Sequence, residues 1–229
     1  MFEMLNGLEF GPFLLSFKLA VITTLILFVI SLPLAWYLSQ THSKMKPFWE
    51  SLTALPIVLP PSVLGFYILV ALSQNSPIGA FFEDVLGIKL VFNFTGLVVA
   101  SCFYSLPFMV QPLQSGFESI NKNMLEASYI AGKGKIETIR KVALPNIKPA
   151  LMSAIIVTFA HTVGEFGVVL MVGGSIPDET KVASVAIYEF VEVMDYTKAH
   201  IYSAIMVIIS FLVLLSVYIF NGKQKKIGF

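Results

Sequence analysis

Four side chains able to do chemistry fall at helical spacing in one short stretch: Thr158, His161, Thr162 and Glu165, followed closely by Gly167. On a 3.6-residue period they share one face. The interval from His161 to Glu165 suits a hydrogen bond between neighbouring helical turns. It is also the interval of two zinc ligands on a helix. A third ligand is lacking, because Cys102 is the one cysteine and His42 and His200 fall near opposite ends of the apolar stretches. A polar contact inside a packed bundle is therefore the plainer role for His161. An enzyme built on His161 and Glu165 would have no second catalytic partner. Gly164 and Gly167 are expected to let helices approach closely.

A second group is Leu55-Pro56-Ile57-Val58-Leu59-Pro60-Pro61-Ser62. Each proline removes an amide donor and clashes with the carbonyl four residues back, so three within six residues should break a helix. The result is either a Pro-kinked packing helix or a discontinuous helix lining a solute path, as many transport sites are built.

A third group lies between Gln114 and Lys148. Asn121 is a plausible N-cap. A helix through Met124, Leu125, Ala127 and Tyr129 should stop at Gly132, in the manner of a C-terminal glycine. Ile136, Ile139 and Ala143 then repeat at helical spacing, and Pro145 should prevent simple continuation. Two short helices around a glycine corner follow. Without further information they could be a hairpin lying on a membrane surface.

The elements that hold these groups are dictated by composition. Of 229 residues, 56% are hydrophobic and only 13% charged, about half the charge of an average soluble domain. Mean hydropathy is +0.82. A soluble enzyme, a nucleic-acid binder and a disordered chain are all excluded, and the formal net charge of +1 adds no polyelectrolyte signal. The first ten residues carry Glu3, Glu9 and no Lys or Arg, unlike a secretory leader. Five stretches approach the ~20 residues needed to cross a bilayer: Leu19 to Leu38, Ser51 to Leu72, Phe94 to Pro112, Pro149 to Val172, and Ile201 to Phe220. Val182 to Met194 is shorter and reads as an interfacial or re-entrant helix, so the fold expected is an all-α integral membrane protein of five, alternatively six, transmembrane helices. Glu165 alone brings an acid into a span. Such a residue costs about 2.5–3.5 kcal/mol at a helix centre, so it should face a cavity or a partner.

Charge orients the spans. Lys44, Lys46, Lys122, Lys133, Lys135, Arg140, Lys141, Lys148, Lys223, Lys225 and Lys226 fall on one side. The other side holds Lys89, Lys181 and Lys198 with nine acids, and Lys18 sits at the outer mouth of the first span. The positive-inside rule then puts the N-terminus outside and the C-terminus in the cytoplasm. No span centre carries a fixed cation to trap an anion, and one glutamate is too little for a proton relay. A solute carrier of this kind would draw its energy and selectivity from elsewhere.

The segment between the third and fourth spans resembles a known motif. Glu126-Ala127-Ser128, then Gly132, then Val142-Ala143-Leu144-Pro145 is similar to the EAA motif of ABC importer permeases: E-A-A, three residues, G, nine residues, I-x-L-P. Ser128 and Val142 are mild departures. The span count and the placement of this segment match the type I permease core, so the resemblance covers essentially the whole chain. Leu55 to Pro61, Gly164-Glu165-Phe166-Gly167 and Ser175-Ile176-Pro177-Asp178-Glu179-Thr180 further resemble the molybdate and tungstate permeases, Asp178 standing where glycine is more typical. Sulfate and thiosulfate permeases share the proline-rich span and a variant of the glutamate stretch.

This resemblance implies a type-1 transmembrane domain over 12–220, with a cytoplasmic coupling segment at 114–148 and a short basic tail at 221–229. It implies a multi-pass subunit of the plasma (inner) membrane that imports an oxyanion, molybdate first, with tungstate or sulfate as alternatives and an enzyme or channel as distant ones. A homodimer would form the pathway in the lipid bilayer. Two ATPase subunits carrying ATP-Mg would dock on the coupling segments, and an extracytoplasmic oxyanion-binding protein would deliver the solute. No cofactor on this chain and no nucleic acid are implied. Glu126, Ala127, Ser128, Gly132, Val142, Leu144 and Pro145 would couple to the ATPase. Pro60, Pro61, Ser62, Thr162, Gly164, Glu165 and Gly167 would help form the pathway.

Overall fold

Leu19, Thr23, Leu27, Ser31, Ala35 and Leu38 recur every three to four residues and are all buried, the spine of the inward face of a 30-residue helix, α1 (Gly11–Gln40). At 1.5 Å per residue it spans roughly 45 Å, longer than the ~30 Å hydrocarbon core. The expected span, Leu19 to Leu38, is its central part. The computed structural model describes residues 9–225, so Glu3 and Lys226 of the charge pattern lie outside the described residues.

Packing is all helical among the described residues. α1 lies along α5 (Phe94–Glu118) and α9 (Lys148–Val163), which also pack on each other. The final helix, α12 (Tyr196–Lys225), leans on α9 and on α11 (Ala183–Glu192) and leaves most of its apolar residues exposed, as lipid allows. α1, α5 and α12 are each long and apolar enough to cross a membrane, and bent helix pairs raise the count to five. The short run expected at Val182 to Met194 is the ten-residue α11.

The second expected span is two helices, α2 (Lys46–Val58) and α3 (Pro61–Leu72), bent by 110° at Leu59 and Pro60. Pro61 opens α3 where no amide partner is needed, and Pro56 is tolerated within α2. The fourth expected span is not continuous either. α9 stops at Val163, and a separate short helix, α10 (Gly167–Gly173), begins after Gly164, Glu165 and Phe166.

Two ends are distinct. At one, Trp36 meets Phe117 edge-on at 5.1 Å within a cluster that includes Leu27, Met109, Leu113 and Ala154. Here Lys46 pairs with Glu118 at 2.9 Å, and Gln114 donates to Glu50 at 2.6 Å, joining α2 to α5. At the other end, the Tyr202 hydroxyl donates to the Glu9 carbonyl at 2.6 Å, and Ser16 accepts from the Ala183 amide at 2.9 Å. An amphipathic helix, α4 (Pro77–Leu86), lies after α3, capped by the Ser76 hydroxyl and ended by Gly87 at φ 65°.

Candidate functional site

Local rules build the first candidate region. The Asn121 side chain accepts from the Asn123 amide and starts α6 (Lys122–Ile130). Gly132 stands at φ +77°, its amide bonded to the Tyr129 carbonyl while Lys133 reaches back to Ser128. That pair of bonds is a Schellman stop, and it needs a residue at ease in the left-handed region. The next helix runs through α7 (Lys135–Thr138), a π turn (Ile139–Ala143) and α8 (Leu144–Asn146), then bends 81° into α9. Simple continuation does fail around Pro145, as expected: the helix widens into a π turn before it and ends one residue after it, at Asn146. The wider π turn immediately before it, in which the Leu144 amide reaches the Ile139 carbonyl, gives the proline ring its room.

The two faces of this hairpin differ. Leu125, Ala143 and Ile147 are buried in the same cluster as Trp36 and Phe117, which fastens the hairpin to α1, α5 and α9. Ser128 bonds Thr138 at 2.9 Å, both buried, so the serine that departs from the motif's alanine clamps α6 to α7. Glu126, Ala127, Gly132 and Pro145 are exposed, and Val142 and Leu144 are half-buried. Ile130 and Ile136 are 88% and 82% exposed. Neither isoleucine was singled out as an outward contact from the sequence, because helical spacing identifies a stripe without saying which stripe stays uncovered. Glu126 also borders a cleft of about 360 Å³ shared with Ser39, Lys46, Glu118 and Lys122. Outside the membrane core, the Lys141 ammonium beside Glu137 holds that carboxyl below its ordinary range.

The second region needs tertiary structure. Pro61, Tyr104, Ala160, His161 and the stretch Gly164 to Gly167 line a cleft of about 480 Å³. Of the expected pathway residues, Pro61, Gly164, Glu165 and Gly167 meet there. Pro60 and Ser62 flank Pro61 on the exposed start of α3, and Thr162 is buried rather than lining the cleft. A Cβ on Gly167 would lie 2.8 Å from that of Pro61, so this glycine does allow a close crossing of α10 and α3. Gly164 does not serve packing, since a Cβ there would meet only ordinary contacts.

The expected bond from His161 to Glu165 is absent because the helix ends between them. His161 instead stacks on Phe108 at 3.9 Å and sets Nδ1 2.9 Å from the Ser105 hydroxyl. Ser105 also lies 2.9 Å from the Thr162 hydroxyl, which donates to the Thr158 carbonyl at 3.0 Å. The Ser105 proton thus goes to Thr162, and His161 donates through Nδ1–H. Sequence reasoning missed Ser105, Tyr104 and Phe108, since nothing in the third span marks them. The Ser184 hydroxyl of α11 donates to the Glu165 carbonyl at 2.6 Å and helps hold the break. Glu165 is 3% exposed, and neither carboxyl oxygen has a hydrogen-bond partner. Among the described residues no three His, Cys, Asp or Glu side chains gather as a metal site.

Asp178 adopts φ 63°, which explains how it occupies a position where the resembling permeases more typically carry glycine. Thr180 braces the same turn, donating to the Gly173 carbonyl at 2.7 Å and accepting from the Ile176 amide at 2.9 Å.

Residues 20–226 match the family model described as "Binding-protein-dependent transport system inner membrane component". The chain is 48% identical over 215 residues to the molybdenum transport system permease protein ModB of Azotobacter vinelandii, covering 93% of this chain and 94% of that protein. It is 31% identical to a probable sulfate transport system permease protein cysT of Chlorella vulgaris, covering 92% and 79%. In fold it is similar to a solved chain of the MetNI methionine ABC transporter, with a TM-score of 0.71, 17% identity and coverage of 93% and 94%.

Proposed function

The chain belongs to the binding-protein-dependent transport inner-membrane components, the permease subunits of ABC importers, and from that premise we propose that it forms the solute pathway of an ATP-driven molybdate importer. As a member of that family it is a multi-pass inner-membrane transporter subunit, not an enzyme, and it works with a separate ATPase and an external binding protein. Molybdate is favoured over sulfate by the 48% identity to a molybdenum permease across almost the whole of both chains, against 31% for the sulfate relative.

The observation that carries the mechanism is the two-faced hairpin. Its inner face shares a core cluster with α1, α5 and α9, while Glu126, Ile130 and Ile136 face outward. A pull on the outer face is transmitted to the bundle, because packed cores move as units rather than deform. In this reading the hairpin is cytoplasmic and the N-terminus outside. ATP-Mg binds the partner ATPase pair, and closure of that pair draws together the hairpins of two copies of this chain, turning the pathway outward. Pro60, Pro61, Ser62, Thr162, Gly164, Glu165 and Gly167 form part of that pathway, around the break between α9 and α10.

The test is reconstitution in proteoliposomes with the cognate ATPase and binding protein. Binding-protein-stimulated ATP hydrolysis and molybdate uptake are expected, and both should fall with Glu126→Lys, which reverses charge on the docking face. Isothermal titration of the permease alone should give no submicromolar molybdate site, because no span centre carries a cation. Uptake of sulfate but not molybdate would transfer the assignment to sulfate. Wild-type docking and stimulation in Glu126→Lys would remove the coupling role from that residue.

A further inference from the structure

The Glu165 carboxyl is the least satisfied polar group beside the cleft. Both oxygens are buried without a well-formed hydrogen bond, and the one polar side chain that bears on the carboxyl is the Ser101 hydroxyl of α5, a neutral group placed too poorly to make a full bond. An ionised carboxylate in such a place would need a cation. The groups facing it from each packed element supply none. α5 brings Ser101, Cys102 and Tyr104, α3 brings Pro61, and α11 brings Ser184 to the backbone carbonyl. His161 of α9 commits Nδ1 to Ser105, stacks on Phe108 and has Tyr104 tilted against it at 4.7 Å. Of the lysines at the acidic end of spanning helices, Lys18 of α1 sits over the Phe94 ring at 4.5 Å and Lys198 of α12 pairs with Asp195 at 3.4 Å.

A dianion entering the cleft meets no fixed positive charge, so the charge on the acid behind its wall decides whether the anion is tolerated. We infer that Glu165 is a proton-controlled filter of the pathway: as a neutral acid it lets a tetrahedral oxyanion occupy the cleft, and as a carboxylate it repels one. The inference rests on the oxyanion-importer reading above. It goes further by assigning selectivity for solute charge to one residue and one proton. The backbone break puts the acid there. A continuous helix would have carried Glu165 round toward His161, whereas the turn at Gly164 tucks it under the cleft wall.

The experiment has two arms. In the first, infrared difference spectra of the purified wild-type permease and Glu165→Gln at neutral pH should show the carbonyl stretch of a protonated carboxylic acid in the wild type alone. In the second, oxyanion uptake by the reconstituted complex is followed as pH rises. Wild-type uptake should fall, each pH unit past the midpoint removing roughly tenfold of the neutral acid. Glu165→Gln keeps the shape and stays uncharged. Its uptake should lack this alkaline fall, and the ratio of the two profiles cancels any pH dependence of the ATPase. A missing carbonyl band overturns the inference, as does an alkaline fall shared equally by both proteins. A wild-type complex that imports no oxyanion at any pH overturns the functional reading and the filter together. That case is told apart by the infrared band, which does not depend on transport.

Discussion

The hairpin of α6 to α8 and the cleft at the break between α9 and α10 are built in opposite ways. The hairpin obtains its shape from neighbours in sequence: an Asn121 cap, a Gly132 stop and a ten-residue bridge from Ser128 to Thr138. The cleft obtains its shape from segments far apart in the chain, with Gly167 against Pro61 of α3 and Ser184 of α11 on the Glu165 carbonyl. A self-contained element can be moved as a unit by a partner. A site assembled from several helices changes when those helices move. That division suits a machine in which one part receives force and another opens.

The comparison is broken most severely at the crossing of α3 and α10. Gly167→Val would force a side chain against the Pro61 ring, where even a Cβ lies at 2.8 Å. Overpacking of this kind costs about 1–3 kcal/mol. Uptake should collapse while ATPase pull-down survives, because the hairpin is untouched. Loss of both together would mean that the two regions are not separable.

Gly132→Val ranks next. Nothing lies within 4 Å of a Cβ built there, so the cost arises from backbone conformation alone, about 1–2 kcal/mol for a side chain in the left-handed region. Membrane insertion should be normal and ATPase pull-down reduced. Gly132→Asn should recover much of the docking, since asparagine tolerates that conformation. Equal losses in Val and Asn variants would show that side-chain volume at the docked surface matters instead.

How much of this was legible in the sequence follows the same division. Asn121 and Gly132 could be read because caps and stops are local chemistry, and the 110° bend follows from prolines that remove donors. The stop at Val163 could not be read. The apolar run continues through it without a proline, and two glycines in a membrane helix more often signal packing than a break. The contacts that hold the break, Ser184 on the Glu165 carbonyl and Pro61 against Gly167, come from elements distant in the chain. The expected His161 to Glu165 bond failed for that reason: a correct interval was applied to a helix that had already ended. Pro145 was legible in outline, since the helix does not continue simply past it, but the π turn that makes room for its ring was not.

A smaller effect sharpens the account of the hairpin. Ser128→Ala removes one partner of a buried pair and leaves the Thr138 hydroxyl, 0% exposed, without its bond. The cost should be about 1 kcal/mol. Amide exchange should rise across 131–138 and stay unchanged in α5. Ser128→Ala combined with Thr138→Val removes both polar partners and should restore much of the protection. If the double variant is worse than the single, the pair is not what clamps α6 to α7.

The smallest effect is expected where an ion pair is most visible. Lys141 approaches Glu137 at 2.8 Å on the exposed side of the hairpin, and the pair lowers the Glu137 carboxyl's affinity for protons. A depressed carboxyl contributes stability only above its unfolded value, and that contribution disappears as pH falls through the folded one. Both partners are solvated, so salt screening and side-chain entropy cancel most of the attraction. Glu137→Gln should therefore leave amide exchange in the hairpin unchanged, and acidification through the carboxylate range should not melt α7 before the bundle. A hairpin that loosens in either experiment would owe its shape to surface charge, and the contrast between a locally built lever and a tertiary cleft would have to be redrawn around Lys141.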